Sequence, residues 1–367
     1  MNAADQDPAA PRPAHRPAPL PAPHFSAAPA VSVIMPVLDE ERHLRDSVRH
    51  ILAQDHPGEL EVVIALGPSK DRTDEIAAEL AAADPRVRTV PNPTGRTPAA
   101  LNAAIAASRH PVVVRVDGHG MLSPNYIATA VRLLEETGAA NVGGIMHAEG
   151  ENDWERAVAA AMTSKIGVGN AAFHTGGAAA PADTVYLGVF RREVLERQGG
   201  YNVEFIRAQD WELNYRIREA GHLIWFSPEL RVSYRPRPSV RALAKQYKDY
   251  GRWRRVVTRY HRGSVNLRYL AAPVALLANA AGLVVGAAVT PWALLVPAAY
   301  VAAITAGSLP AGRGLPLGAR LRIPLALATM HMCWGYGFLT SPRSLARRVI
   351  ASRRPAVRDG EDARVQA

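Results

Sequence analysis

Residues 269–312 carry no charged side chain, a run of 44 in a protein of 367. At about 1.5 Å of rise per residue, roughly 20 apolar residues cross the hydrocarbon core of a bilayer, so this run has the length of two helices and a turn. "VTPW", residues 289–292, is the natural turn: Pro291 suits the first position of a second helix, and Trp292 suits the headgroup layer. A buried hairpin of a soluble domain is the competing reading, and length counts against it. Beyond Arg313, Arg320 and Arg322 lies a third apolar stretch, residues 323–340, which holds Pro324 and His331 and is short for a span. Basic residues flank the hairpin, Arg262 and Arg268 before it and Arg313 and Arg320 after it, while its turn has none; residues 1–268 are therefore expected in the cytoplasm. A third spanning helix would carry Arg343, Arg347, Arg348, Arg353 and Arg354 to the far side, so a re-entrant or interfacial segment is expected there.

The formal net charge is +10, yet residues 231–268 alone hold twelve Lys or Arg against one acid, Asp249. A cluster this dense faces an anionic partner. It abuts the apolar hairpin and contains no recognisable nucleic-acid reader, so the partner expected is the membrane surface and not nucleic acid. The single cysteine, Cys333, excludes an intrachain disulfide and a cysteine zinc site. Residues 1–30 contain eight prolines and little apolar material beyond alanine, too little burial to offset ordering entropy; a disordered tail is expected, without the continuous apolar core of a secretory signal.

Between tail and basic segment the pattern alternates. "AVSVIMPVLDEERHLRDSVRHILAQ" runs from a β-branched strand into helical spacing through Leu44, Val48, Ile51 and Leu52. "LEVVIALGPSKDRTDEIAAELAAAD" repeats the scheme, with a strand to Leu66, a Gly-Pro turn and a helix carrying Ile76 and Leu80 on one face, for which Thr73 is the expected cap. "VRTVPNPTGRTPAALNAAIAAS" adds a short strand and a helix, and "PVVVRVDGHG" a fourth strand. Such alternation calls for an α/β fold, a mostly parallel sheet with helices on both faces. No glycine-rich dinucleotide fingerprint follows the first strand and no GxxxxGK[ST] loop occurs, which argues against a Rossmann dehydrogenase and a P-loop enzyme.

The fourth strand ends on Asp117-Gly118-His119. Asp-Gly is ordinary turn chemistry. The other reading places Asp117 and His119 at the carboxyl end of a central strand, where open α/β sheets put their ligands. Further on, "RAQDWELNYRIREAG" sets Leu213, Ile217 and Ala220 on one helical face with Asp210 at or just before the first turn, as a helix cap or as a chemical group.

In order and content, residues 31–253 resemble glycosyltransferase family 2, inverting enzymes with the GT-A fold, and more narrowly the membrane-associated transferases of succinoglycan-type exopolysaccharide assembly. The resemblance implies that Pro36, Asp39 and Glu40 of "VSVIMPVLDEE" lie by the nucleoside, with Ser69 and Asp71 of "ALGPSKDRTDE" and Arg96 and Asn102 of "GRTPAALNAAI" around the nucleotide. Leu66 stands where the family commonly has a uracil-contacting aspartate, so the base stays unassigned. Asp117-Gly118-His119 matches the family's Asp-x-Asp, implying Asp117 and His119 as ligands of a divalent metal, Mn²⁺ or Mg²⁺, that neutralises the departing nucleoside diphosphate. The imidazole favours Mn²⁺. Asp210 matches the general base, with Gln209 replacing the glutamate of the usual pair and Trp211 beside it on the acceptor side. Gly188, in "DTVYLGVFRREVLERQGGYN", matches a point where the backbone passes close to substrate. "MTSKIGVGNAAFHTGGAAAP" reads as a mobile loop near the acceptor, with His174 touching substrate or, as is commoner for a loop histidine, solvated. Gln246, Arg252 and Trp253 of "RALAKQYKDYGRWRR" correspond loosely to the Gln-x-x-Arg-Trp of processive members, whose tryptophan stacks on the acceptor sugar; an interfacial amphipathic helix is the other reading.

The expected organisation is a Pro/Ala-rich tail (1–30), a GT-A catalytic domain (31–235), a basic interfacial segment (236–268), membrane-embedded helices (269–340) and a basic then polar tail (341–367). The expected function is inverting transfer of a sugar from a nucleotide-sugar donor to a lipid-linked glycan acceptor at the cytoplasmic membrane face, in the setting of a polysaccharide assembly complex. A polyprenyl-phosphate sugar synthase and a catalytically silent scaffold of such a complex are the alternatives. Asp210 favours a hydroxyl acceptor over a phosphate, and Asp117 with Asp210 speaks against the scaffold.

Overall fold

The structure, a computed structural model, describes residues 24–25, 28–261 and 264–351. In chain order its elements are β1 (Val31–Val37), α1 (Leu44–Leu52), β2 (Leu60–Leu66), α2 (Thr73–Ala83), β3 (Val87–Pro91), α3 (Thr97–Ala107), β4 (Val112–Arg115), β5 (Met121–Leu122), α4 (Tyr126–Thr137) and β6 (Asn141–Ala148). There follow α5 (Asp153–Met162), α6 (Lys165–Val168), α7 (Ala172–Thr175), β7 (Ala180–Pro181), β8 (Tyr186–Arg191), α8 (Arg192–Arg197), α9 (Gln209–Glu219) and β9 (Ile224–Tyr234). The helices α10 (Val240–Tyr260), α11 (Ala271–Ala288), α12 (Leu295–Ala311), α13 (Leu317–Arg320), α14 (Ile323–Leu339) and α15 (Arg343–Ala351) complete the described chain.

All nine strands form one sheet in the order β3-β2-β1-β4-β8-β6-β9-β5, with β7 paired to β9. The first four strands are parallel, as their alternation with helices requires. Antiparallel β8 then separates β4 from β6, so the sheet is mixed. Strand alternation divides the core between the two faces. Val31, Val33, Met35 and Val37 pack with α1, α2 and α4 on one side. Ile34, Val63, Ala65 and Val113 pack with α3, α8 and α9 on the other. Ala220, expected on the buried face of α9, lies past its end and is exposed, so Leu213 and Ile217 alone carry that contact.

The chain divides into two compact units, one holding the sheet and running to Glu149, with Met162–Asn202 and Gln209–Pro236. Gly150–Ala161, Val203–Ala208 and the chain from Arg237 on cluster in the second, so residues 31–235 are not one uninterrupted unit. Residues 1–23 of the expected tail lie outside the described residues; its last part is docked. The Phe25 amide donates to Glu135 Oε1 at 2.7 Å, and the Phe25 ring lies 4.3 Å from the Arg191 guanidinium, so one aromatic anchor overrides the surrounding composition. Likewise residues 343–351 of the expected C-terminal tail form α15, which buries Ala346 and Val349.

In the second unit, Leu267–Ala288 and Pro291–Ala311 are long and apolar enough to cross a membrane, with mean hydropathies of 1.9 and 1.6 and little burial. Among the described residues no other helix reaches that length with that composition. The basic helix α10 packs on α14 through Lys248, Gly251 and Arg255, with Lys248 over the Tyr336 ring and Arg255 over the Phe338 ring. The two backbones come so close that a Cβ on Gly251 would strike the Trp334 carbonyl, and one on Gly337 the Lys248 carbonyl.

Candidate active site

Parallel pairing places the carboxyl ends of β2, β1 and β4 side by side, with Val37 opposite Leu66 and Ile34 opposite Arg115. The loops leaving these ends carry Asp39, Glu40, Ser69, Asp71, Asp117 and His119. Two of the loops are laced together. The Asp39 amide donates to Ser69 Oγ at 3.2 Å, the Lys70 amide to Asp39 Oδ1 at 2.7 Å and the Glu40 amide to Thr73 Oγ1 at 2.8 Å. The Glu41 amide donates to Asp71 Oδ2 at 3.1 Å and the Arg72 amide to Glu41 Oε2 at 3.2 Å. Asp39 takes a left-handed φ of 54°, which aspartate tolerates better than most residues. The hydrogen bond from the Thr73 hydroxyl holds the Asp71 carboxyl below its ordinary range. Thr73 is therefore not the cap of α2. It is the buried first helical residue, and Asp71 Oδ1 receives its amide at 3.0 Å.

Beyond β4 the chain turns sharply, the Gly120 amide donating to the Asp117 carbonyl at 2.7 Å and the Ser47 hydroxyl of α1 to the Gly120 carbonyl at 2.7 Å. His119 Nδ1 meets Glu40 Oε1 at 2.7 Å. A Cβ on Gly118 would lie 2.9 Å from Glu40 Cγ, so the residue between Asp117 and His119 has to be small for Glu40 to reach the imidazole.

The centre of the cluster is a residue the sequence reading did not single out. Arg115, the last residue of β4, is 4 % exposed at its side chain. Its Nη2 and Nε donate to Asp117 Oδ1 at 2.9 and 3.2 Å, and its Nη1 donates to Asp210 Oδ1 in the first turn of α9. Burial works against the guanidinium charge, but Asp117 and Asp210 outweigh it and hold Arg115 protonated. Burial raises the Asp210 carboxyl to about 6 and Asp117 adds to that, with Arg115 opposing. About a third of the Asp210 side chain, 31 %, stays accessible, so the group is desolvated yet reachable. An arginine ending a valine-rich strand, two positions before a carboxylate, was the available signal.

The other singled-out residues divide. Pro36 sits in β1 opposite Ala65, and Arg96 precedes α3, its amide donating to Thr94 Oγ1 at 3.2 Å. Asn102 has a different employment from the one expected: Nδ2 donates to the Tyr201 carbonyl at 2.7 Å, and Oδ1 accepts the Tyr201 amide at 2.8 Å, so both ends of its amide clamp backbone. Gly188 adopts φ 96°, and a Cβ there would meet the Phe190 ring and Asn141 Oδ1, a packing reason for glycine that needs no substrate. Gln209 is buried beside Asp210, and Trp211 is buried and stacked on Tyr215 at 5.3 Å. Gln246, Arg252 and Trp253 lie on α10 in the second unit. Trp253 is only 4 % exposed and packs on Phe205, which corrects its reading as a free stacking platform. The segment expected as a mobile loop folds into α6 and α7, and His174 is not solvated: burial lowers its imidazole to about 4, which keeps it neutral.

Among the described residues no three or more His, Cys, Asp or Glu side chains are grouped to hold a metal ion. Asp117 and His119 offer the carboxylate and imidazole that a divalent ion takes, and an ion held there would need its remaining ligands from a bound molecule. Arg115 engages Asp117 through Oδ1, leaving Oδ2, and Glu40 engages His119 through Nδ1, the second-sphere arrangement typical of a ligating histidine.

The model of glycosyl transferase family 2 matches residues 32–199. The chain is 32% identical over 322 residues to the succinoglycan biosynthesis protein ExoA of Rhizobium meliloti (strain 1021), covering 86% of this chain and 96% of that one. It is 24% identical over 249 residues, 65% of this chain and 77% of the other, to a dolichyl N-acetyl-alpha-D-glucosaminyl phosphate 3-beta-D-2,3-diacetamido-2,3-dideoxy-beta-D-glucuronosyltransferase of Methanococcus voltae. Its fold is similar to that of the mannosyltransferase PcManGT from Pyrobaculum calidifontis, solved with GDP-Man and Mn²⁺, at a TM-score of 0.54 and 22% identity over 88% of this chain and 89% of that one.

Proposed function

The chain belongs to glycosyltransferase family 2, and from that premise we propose that it is an inverting hexosyltransferase. Its donor is a nucleotide-sugar, its acceptor a sugar hydroxyl on a lipid-linked glycan at the cytoplasmic membrane face, and its setting exopolysaccharide assembly. The observation that carries the reading is the Asp117–Arg115–Asp210 bridge, which sets a diphosphate-side carboxylate and an acceptor-side carboxylate on one buried cation.

In this reading Asp210 takes the proton of the acceptor hydroxyl as the oxygen attacks the anomeric carbon opposite the leaving diphosphate. A carboxyl near 6 is ionised at neutral pH and is still basic enough to hold the proton in the transition state. Arg115 keeps Asp210 turned to one side by occupying Oδ1, so that Oδ2 faces the hydroxyl. The loops bearing Asp39, Ser69 and Asp71 cradle the nucleoside, and Arg96 stands by the diphosphate. Asp117 and His119 would hold the divalent ion, which when bound would neutralise charge on the leaving group. Pairing with Glu40 orients the imidazole.

Similarity to ExoA over nearly its whole length supports the exopolysaccharide setting, and the Methanococcus relative, named for transfer onto a lipid-borne sugar, supports a hydroxyl acceptor. The two apolar helices support the membrane face. The test is a screen of nucleotide-sugars for Mn²⁺-dependent hydrolysis by the detergent-solubilised protein, followed by transfer to membrane-extracted lipid acceptors with the donor found. Absence of turnover with every donor and ion would return the protein to a scaffold role.

A further inference from the structure

The second unit contains an apolar groove of about 290 Å³ at the end of the hairpin that adjoins the basic segment. Its walls are Pro273, Val274 and Leu277 from the first two turns of α11 and Phe338 and Leu339 from the end of α14. Its one charged lining residue is Arg255 of α10, whose guanidinium lies 4.9 Å from the centre of the Phe338 ring. One turn further along α10, Arg259 donates to the Ser341 carbonyl at 2.9 Å, two residues beyond the groove wall, and Arg343 follows two residues later. Burial and then the charges of Arg255 and Arg343 hold Arg259 below its ordinary value, which marks the three cations as close neighbours. Among the described residues no carboxylate pairs with any of them, whereas most other arginines of the sheet-bearing unit have acidic partners.

Three neighbouring arginines without a carboxylate are an incomplete electrostatic arrangement, and phosphate oxygens complete it best. An apolar slot that begins beside them requires the phosphate to carry a hydrocarbon. The slot is at the small end of ligand cavities, roughly 300 Å³, with room for one chain segment rather than two side by side. Val274 and Leu277 are more than half exposed, so a chain lying there covers apolar surface at the depth where α11 emerges from the basic segment.

We propose that this groove seats the phosphate-proximal isoprenoid units of a polyprenyl diphosphate, with Arg255, Arg259 and Arg343 on the phosphates; this deepens the acceptor reading above and rests on it for the identity of the lipid. The site recognises the carrier and not the sugar, so it binds the lipid without a donor.

The experiment is equilibrium binding of radiolabelled farnesyl diphosphate to the full-length protein in non-ionic detergent, without nucleotide-sugar. Saturable binding is expected, weakened at least about tenfold in Arg255→Gln/Arg259→Gln and in the groove-filling Leu277→Trp, and largely kept in Arg255→Lys. Thermal unfolding of each variant establishes that it is folded, and the two unlike variants keep the test open if one is not. Wild-type binding by both folded variants would overturn the proposal. So would equal affinity for farnesol, displacement by inorganic diphosphate at equal concentration, or displacement by phosphatidylglycerol at equal concentration, which would make this a general phospholipid contact. Farnesyl diphosphate binding by a protein that transfers no sugar would sink the transferase reading and leave the groove. Transfer to a water-soluble acceptor with no farnesyl diphosphate binding would do the reverse.

Discussion

Arg115 and Asp210 lie 95 residues apart in sequence and form an ion pair at the end of β4, on the same guanidinium that holds Asp117. Removing the cation leaves two carboxylates facing each other in a desolvated site. Arg115→Gln is expected to lower stability by about 3–5 kcal/mol, as for other broken buried pairs, read as a fall in the thermal midpoint. Arg115→Lys restores the charge but not the fork, so it should recover stability in part and transfer poorly. Wild-type rates in a folded Arg115→Gln protein would remove the bridge from the mechanism.

The Asp210 carboxyl sits at about 6, above its ordinary 3.8, and its pH dependence has a definite sign. As the base it must be ionised, so transfer at saturating substrate should rise with pH up to about 6 and level off above. A divalent ion beside Asp117 relieves one cause of the upward shift and draws the limb lower. For folding the sign is opposite: the folded state favours the protonated carboxyl, so this group's stabilising contribution is complete below 3.8 and lost as pH rises through 6. Initial rates and unfolding midpoints measured from about pH 4 to 8 check both limbs, and a rate flat across that whole range contradicts the assignment.

Asp210→Asn should leave donor binding near normal and reduce transfer to a hydroxyl by roughly 10²–10⁴, the range expected when base assistance is lost. Asp210 is the second residue of α9 and not its cap, so a purely structural role would show as stability lost with the Arg115 pair while the folded protein kept its transfer rate. Single-turnover transfer rates separate the two by orders of magnitude.

Asp117→Asn should abolish transfer and weaken nucleoside diphosphate binding in Mn²⁺, since a neutral amide is a poorer ligand for a hard ion. His119→Asp should retain activity and move the preference toward Mg²⁺. Titration of GDP and UDP in each ion is the measurement, and an unchanged Mn²⁺ preference in His119→Asp would show that the imidazole is no ligand.

Gly251→Val should separate α10 from α14, because its side chain has no space beside the Trp334 carbonyl. Loss of several degrees of thermal midpoint is expected, read by calorimetry of the detergent-solubilised protein. A variant with the wild-type midpoint would mean that the helices pack otherwise.

Periodicity made the parallel half legible, including a second strand that runs to Leu66, because each element there buries a regular apolar face. It could not place β8 between β4 and β6, since strand order depends on contacts between distant segments that leave no local period. The site divides along the same line. Asp117, His119 and Asp210 stand in short motifs that a reader can recognise, whereas Arg115 gains its meaning from a partner on α9 and Asn102 from the backbone at Tyr201. Trp253 stayed between two readings because an aromatic beside arginines looks the same in sequence whether it faces a ligand or, as here, Phe205.

The bonds that lace Asp39, Glu40 and Glu41 to Ser69, Lys70, Asp71, Arg72 and Thr73 have a thermodynamic consequence for whatever enters between those loops. Their conformational freedom is surrendered when the chain folds, before any donor arrives. A nucleotide that meets loops already fixed loses its own motion on binding and little of the protein's, so its affinity carries a smaller entropic penalty than a disordered lid would impose. Calorimetry of nucleotide binding should accordingly register a modest entropy loss, and cutting the lace between Glu41 and the Arg72 amide, as in Glu41→Ala, should enlarge that loss without removing a residue assigned to the nucleotide.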